Sequence, residues 1–587
     1  MALTTPADQP VPTAPARPRD LSPQQLGFTR QRPVPWLKPQ LLANTAVRAG
    51  LAQMFGAYLD KRELQGALGS EVYQHEADGD LWLDYVADLG DGFDATYSVA
   101  WLLAQHRLTL ADPEGGQHVL PRGQVLVMGG DEVYPTADWR QYEDRAKGPY
   151  RAALPEKGDN PPTLYALPGN HDWYDGLTAF IRLFGKSEPF GGWQTRQTRS
   201  YFALQLPRRW WLFAIDAQFD AYLDEPQLAY FYKAAEKLEP GDRVIVCPPR
   251  PTWVYASEAP HEYDTVDYFV RKVITPTGAT VPLLISGDAH HYARYQASAI
   301  PVPAAGGEPI SVGPDTTARQ LITCGGGGAY LAATHELPEA IDVPPKDSLV
   351  RNPSPTRRFD LTSRYPSAAQ SRRFSWGVFF RLPARNPGFG ALLAVAHTML
   401  LAAYVSAGPA GGGVPWFTVS ALVLSAVFLA SGVGFASVDR KGEVAPRHIA
   451  VGLLHGLAHL ALGWLGAWLW TRMGIPALPM PIRLGVAVLV YAPIIGVVAT
   501  ELVCLYLIIS NRFRVNVNEL FAGQGIEDTK SFVRMRIARD GSLTLYPVAL
   551  DRACHDWRAA PEDAEDAPWI APVDGLQARL IEPPIHV

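Results

Sequence analysis

Four short pieces of the sequence put metal-binding and proton-carrying side chains directly behind apolar runs. They are Asp88-Leu89-Gly90 after LDYVA, Gly130-Asp131-Glu132-Val133-Tyr134 after VLVM, Gly169-Asn170-His171-Asp172 after LYALP, and Gly287-Asp288-Ala289-His290 after LLIS. Taken singly each has a plain structural reading, because an Asp behind a strand commonly forms a turn or caps a helix. Together they offer carboxylate, amide and imidazole donors, the set that a borderline-hard cation such as Fe, Mn or Zn takes. Two such ions sharing one carboxylate can clamp a phosphate and lower the pKa of a water for in-line attack.

The elements that must carry these pieces are short. Between about 80 and 335, apolar runs such as RWWLFAIDAQ, DRVIVCPP and RQLITCGGGGAY also end in polar or glycine-rich clusters, with helical stretches such as EPQLAYFYKAAEKL between some of them. This rhythm predicts a layered α/β domain with its site at the strand ends. The glycine run 325–328 lacks the Lys-Ser/Thr of a phosphate-cradling loop and reads as tight packing near the site.

The GNHD piece followed by GD-x-H resembles the calcineurin-like metallophosphoesterase superfamily, and GD-x-x-Y together with D-x-G looks most like its purple acid phosphatase variant. The resemblance covers residues 80 to 335, a little under half of the chain. It implies an α/β (α+β) four-layer sandwich holding two divalent or mixed-valence metal ions. It further implies that Asp88, Asp131, Tyr134 and His290 ligate the first ion, with Asp131 as the bridge. Asn170 matches a ligand of the second ion. His171 matches the histidine that protonates the leaving oxygen, with Asp172 as its orienting partner, while a metal-bound hydroxide attacks phosphorus.

Two departures weaken the second ion's site. Where the family has a histidine after the strand resembling DRVIVC, this sequence reads Cys247-Pro248-Pro249. Asp288 stands where the last motif has its first histidine, which makes the site more oxygen-rich. His261, His291 and His335 are the candidates to substitute, and Asp91 and Asp94 are either further ligands or a solvated acidic turn.

Composition bounds the rest. The 587 residues carry 52 Lys+Arg against 58 Asp+Glu, a net charge of -6 with no long basic run, which argues against nucleic acid as the main partner. Four scattered cysteines exclude a disulfide framework. Residues 1–38 read as a disordered or draped Pro-rich tail, 39–79 as a helical extension, and 336–387 as a linker. Four apolar segments between 388 and 509 have the length and composition of membrane spans. Residues 510–587 form a C-terminal segment with a β-hairpin around Asp540-Gly541.

Arg372, Arg373, Arg381, Arg385, Arg440, Lys441, Arg447, Arg512 and Arg514 flank one side of the spans, against Arg472 and Arg483 on the other. The positive-inside bias predicts a multi-pass protein of the cell (inner) membrane with its phosphoesterase domain and C-terminus cytoplasmic. His448, His455, His459 and Glu501 within the spans either fix the bundle by pairing or form a site for a lipid head group, ion or proton. The expected function is hydrolysis of phosphate mono- or diesters at or near the bilayer surface. The alternative is an impaired sensor or scaffold that binds a phosphorylated ligand and signals to the helices.

Overall fold

The computed structural model describes residues 18–41, 65–156, 158–217, 222–298, 320–350, 352–408, 415–438, 445–560 and 567–587. The bodies of two large sheets are formed by β1 (Leu81–Val86), β2 (Val125–Met128), β3 (Thr163–Ala166), β4 (Phe202–Leu206), β5 (Trp210–Ala214), β6 (Arg243–Cys247), β7 (Thr280–Ser286), β8 (Tyr292–Ala297), β9 (Gln320–Cys324), β10 (Ala340–Val343), β11 (Arg357–Tyr365), β12 (Lys530–Ile537) and β13 (Leu543–Leu550). One nine-stranded sheet runs from the short Tyr73–Gln74 strand through β4, β5, β6, β7, β9, β8 and β11 to β10. The other is built around the order β13, β12, β1, β2, β3, extended by short edge strands.

The strands at the centre of each sheet are near-continuous apolar runs because both of their faces are covered. Leu83, Tyr85, Val125 and Val127 from one sheet meet Leu212, Ile245, Leu283 and Ile322 from the other in a shared middle core. The opposite faces carry their own apolar clusters. One includes Tyr97, Leu102, Leu126 and Phe180, and the other includes Phe213, Phe231, Val246 and Phe269. The outcome is a mixed α/β sandwich of two large sheets with helices outside both, as the strand rhythm predicts.

Three stretches differ from their sequence reading. Residues 336–387, expected to be a linker, hold β10 and β11, and β11 pairs with β8 from Tyr292–Tyr365 to Ala297–Phe359. Their Pro- and Arg-rich composition hid a strand near the sheet edge, where alternating polar residues are tolerated. The C-terminal hairpin does not stand apart: β12 lies antiparallel to β1, in register from Val533–Tyr85 to Ile537–Leu81. Within the expected tail, Leu26, Phe28, Val34 and Leu37 are buried. Most of the helical extension lies outside the described residues, and its end forms the Tyr73–Gln74 strand.

Helices α1 (Ala368–Trp376) and α2 (Val378–Arg385) lead into four helices long and apolar enough to cross a membrane: α3 (Pro387–Ala407), α4 (Pro415–Ala436), α5 (Pro446–Arg472) and α6 (Met480–Asn511). Leu422, Leu454, Trp464, Leu489 and Val497 are exposed on their outer surfaces. Helices α4 and α5 approach closely, since a Cβ on Gly432 or Gly452 would run into the facing backbone. Arg440 and Lys441 lie outside the described residues. A short helix, α7 (Val517–Ala522), connects α6 to β12.

The β1–β12 junction is locked by a fully buried ion pair. Arg534 is forked onto Asp84 at 2.6 and 2.9 Å and also donates to the carbonyls of Leu120 and Leu103. Removing one partner of such a pair strands a charge in the core at a cost of about 3–5 kcal/mol. Arg534→Met is therefore expected to lower the melting temperature of the detergent-purified protein sharply, and the double variant with Asp84→Leu to recover much of the loss. A thermal-shift series on the three variants checks this.

Candidate metal centre

The parallel order of β1, β2 and β3 brings their C-terminal ends to one edge, and β6, β7 and β9 do the same in the facing sheet. The loops behind β1 and β2 bind each other: Asp88 N donates to Gly130 O (2.9 Å) and Leu89 N to Asp131 O (3.0 Å). The two sheets meet where Asp288 N donates to Asp88 Oδ1 at 3.0 Å. Asp88, Asp131, Asp288 and His290 all have left-handed backbones, with φ of 58°, 53°, 70° and 47°. This conformation is uncommon outside glycine, and here it turns successive strand ends towards one point.

At that point the Tyr134 oxygen lies 3.0 Å from Asp131 Oδ2, 3.4 Å from Asp88 Oδ1 and 2.9 Å from His290 Nε2. Asp88, Asp131 and His290 each offer a ligand atom, and the three atoms lie within 4.8 Å of one another. Asp88, Asp131, Tyr134 and His290 are all buried. One phenolic proton can serve only one of the three neighbours of the Tyr134 oxygen. Asp88 Oδ2 and His290 Nδ1 are buried without a hydrogen-bond partner. Burial first, then the charges of Asp131 and Asp288, holds Asp88 well above the usual carboxylate range, and burial with Asp172 and Asp288 does the same to Asp131. Donors about 3 Å apart are what ligand bonds of about 2 Å around a single cation produce, so the residues fit a metal ion.

The glycine run 325–328 makes this crowding possible. A Cβ on Gly325 would strike Asp88 Oδ2, one on Gly327 would meet the Ala87 carbonyl, and one on Gly328 would meet Thr96. Gly327 N and Ala329 N donate to the carbonyls of Ala87 and Asp88 at 2.8 and 2.7 Å.

The remaining predicted residues lie around this cluster. His171 N donates to Asp131 Oδ1 (2.9 Å), and its Nδ1 donates to the Pro135 carbonyl (2.7 Å), which leaves Nε2 as the nitrogen available to a ligand. Asn170 donates to Tyr174 Oη (3.0 Å) and Asp288 accepts from Tyr255 (2.6 Å), and both are only half-buried.

Asp172 requires a correction, because it does not orient His171. Its carboxylate accepts from Tyr142 and from the Gly169 amide (2.8 Å), closing the first turn of the helix that carries His171. The imidazole accordingly lacks the raised pKa expected of a carboxylate partner, and burial lowers it to about 4.

The expected substitutes for the missing histidine diverge. His261 is exposed, and His335 is tied to Ser371 (2.7 Å) and Asn511 (3.2 Å). His291 is buried beside His290 with neither ring nitrogen bonded. Behind β6, where the histidine was expected, Pro249 brings its main-chain carbonyl close to Gly130. Asp91 is buried and accepts from the amides of Val34 (2.7 Å) and Tyr330 (3.2 Å), whereas Asp94 binds His555 and Trp557 away from the cluster.

The sequence did not point to Trp36, Tyr330 or Glu132. Trp36 packs edge-on against Tyr134, His171 and Tyr330, and Tyr330 packs against His290 with ring centroids 4.4 Å apart. Glu132 is fully buried, and its carboxyl is pushed well up by burial and by Asp172. Its place between Asp131 and Tyr134 was the one available signal.

In the apolar helices, His397, His459 and His455 form a chain with nitrogen separations of 2.9 and 3.1 Å. His455 stacks on Tyr506, which donates to Asn516 (2.7 Å). Glu501 is not among these contacts. His397 was missed because it stands alone in α3, with no second histidine at helical spacing.

No known family profile matches the sequence, and no curated protein matches it. Among solved structures, the purple acid phosphatase from seeds of yellow lupin (Lupinus luteus) is similar over 43% of this chain and 45% of its own, at 11% identity and a TM-score of 0.28. The match spans less than half of that protein's length, and a likeness so slight decides nothing about activity.

Gly325→Ala is expected to yield a folded chain that has lost most of its metal, because the added methyl displaces the Asp88 carboxylate. Elemental analysis of detergent-purified protein is the measurement, and wild-type metal content in this variant would count against the cluster as a metal centre.

Proposed function

We propose that the chain is a membrane-held, metal-dependent phosphoesterase that hydrolyses phosphate mono- or diesters. The observation that carries this is the convergence of Asp88, Asp131, Tyr134 and His290 on one buried point at the strand ends, with His171 anchored to Asp131 beside it. Fe, Mn or Zn ions bound there would supply Lewis acidity towards the phosphoryl group and a more acidic water. Asp131 is the bridging candidate, since its two oxygens face the His171 amide and the Tyr134 phenol respectively. Asn170 and Asp288 are the side chains left for a second ion. The metallophosphoesterase sandwich, the crossing of a bilayer by α3 to α6 and the cytoplasmic side of the head belong to the same proposal.

His171 carries the proton chemistry. Its Nδ1 proton is committed to Pro135, which fixes the tautomer and orients Nε2 to give a proton to the departing oxygen. An anionic phosphate beside Nε2 favours the protonated ring and offsets the effect of burial.

A second reading, a phospho-ligand sensor without turnover, draws on the lack of a histidine behind β6, where the chain reads Cys247-Pro248-Pro249, and on the outward position of His261. Metal stoichiometry separates the two, with two ions and turnover for the enzyme against one ion and none for the sensor. If Tyr134 ligates ferric iron, the preparation is also coloured, and Tyr134→Phe removes the colour.

His171→Ala should keep the wild-type metal content and lose about two to four powers of ten in turnover on aryl phosphates. Undiminished activity in that variant would sink the assignment of His171, and activity surviving Asp131→Asn would sink the site.

A further inference from the structure

The two chain crossings between the sandwich and the apolar helices leave from the edge that carries the metal-type cluster. Strand β11 ends at Tyr365, paired with Tyr292, the residue directly after His290 and His291, and from there the chain passes into α1, α2 and α3. On the return, the chain leaves α6 through α7 and enters β12 at Lys530. Because β12 runs antiparallel to β1, this entry lies beside the end of β1 that delivers Asp88. Ser531 N donates to Gly326 O at 3.0 Å, inside the glycine run that backs the cluster. Strand pairing thus fixes the site on the edge of the sandwich that faces the apolar helices.

Side-chain contacts around the site say the same. Tyr330, packed on His290, donates to Asn518 of α7 (2.8 Å). Leu37, next to Trp36, donates its amide to Asn386 at the start of α3 (3.1 Å). Glu258, three residues after the Tyr255 that holds Asp288, pairs with Arg514 behind α6 (3.2 Å). Asn386, Asn511 and Arg514 mark the level at which helices α3 and α6 end.

That level has the character of a bilayer interface. Trp376, Phe380 and Phe513 are 59%, 82% and 52% exposed, and Arg372, Arg373, Arg381 and Arg512 beside them in the chain are exposed residues. Aromatic rings with arginines at the ends of apolar helices are the pattern of the headgroup layer.

We propose, building on the phosphoesterase reading, that the substrate is a phosphate ester of a bilayer lipid, taken from the membrane in which the protein itself sits. Its phosphate lies at headgroup level, where the half-buried His171, Asn170 and Asp288 meet it. Water oxygen bonds to phosphorus, the bond from phosphorus to the ester oxygen breaks, and the leaving alcohol takes a proton from His171, which regains one from the water consumed.

The test uses the full chain in lipid nanodiscs and two matched ester pairs. These are hexadecyl and methyl para-nitrophenyl phosphate, read as nitrophenolate, and hexadecyl and methyl phosphate, read as released phosphate. The hexadecyl ester is supplied either in the protein's own nanodisc or in separate phosphatidylcholine vesicles. Cleavage of the hexadecyl ester in the same nanodisc should exceed that in separate vesicles, and that of the methyl ester at equal bulk concentration, by about tenfold or more. Equal rates from the two sources, or a faster methyl ester, would overturn the lipid assignment while leaving the phosphoesterase standing. Absence of all cleavage, including of para-nitrophenyl phosphate, by metal-replete protein would overturn the phosphoesterase reading and this inference with it.

Discussion

The pairing of β12 with β1 is the constraint on which the rest of the molecule depends. It joins a strand near residue 85 to one near residue 534, with all four apolar helices in the chain between them. Closing so long a loop costs conformational entropy, although the cost grows only slowly with length. The ladder, the buried Arg534–Asp84 fork and the burial of Phe532, Val533 and Met535 offset it. One consequence is positional. Since β1 also delivers Asp88, the same ladder that ties the C-terminal segment into the sheet sets the return from the apolar helices next to the cluster.

The cluster itself is an unfavourable arrangement on its own terms. Asp88, Asp131 and Asp172 are carboxyl groups shut away from water, where an unpaired charge is costly, and Asp88 and Asp131 sit on left-handed backbone that costs on the order of 1 kcal/mol or more each. Such strain persists only where the surroundings over-determine it. Here the determinants are specific: the amides of Asp288 and His171 on the two carboxylates, the glycine run behind Asp88, and the aromatic wall of Trp36, Tyr134 and Tyr330. A cation placed among the four donors removes the electrostatic part of the penalty. An arrangement so costly without a counter-charge fits the proposed metal centre better than a row of turn-forming aspartates.

Much of this was legible because strands write themselves into sequence as apolar runs, and functional residues in layered folds stand just behind them. Asp88, Asp131, Tyr134, His171 and His290 all stand just behind such runs, and the folded chain brings them together. What the sequence hid was governed by contacts between distant segments. Asp172 next to His171 reads as a pair, yet neighbours on the first turn of a helix point different ways, and the carboxylate turns back to its own helix cap. The strand β11 was hidden by its polar alternation near an edge. Trp36 and Tyr330 belong to segments without motif, and only the folded chain shows that they wall the site. The four apolar helices were the easiest feature, since length and composition alone set them apart.

Head and helices share one packing unit instead of meeting across a flexible tether. Leu331, one residue from Tyr330, is buried with Leu37, Val378, Leu382, Val503, Leu507 and Leu520, so neighbours of the site's wall and residues of α6 lie in a single apolar cluster. Polar contacts continue it in both directions. Tyr506 of α6 joins the His455–His459–His397 chain to Asn516, and Asn518, on the helix after α6, joins to Tyr330 and through it to the ring of His290. Polar groups inside an apolar bundle are retained where each finds a partner, and here the two links end two residues apart, on Asn516 and Asn518. Head and α6 are therefore one packed unit, because Leu37 and Leu331, the chain neighbours of Trp36 and Tyr330, pack directly among the residues of α6.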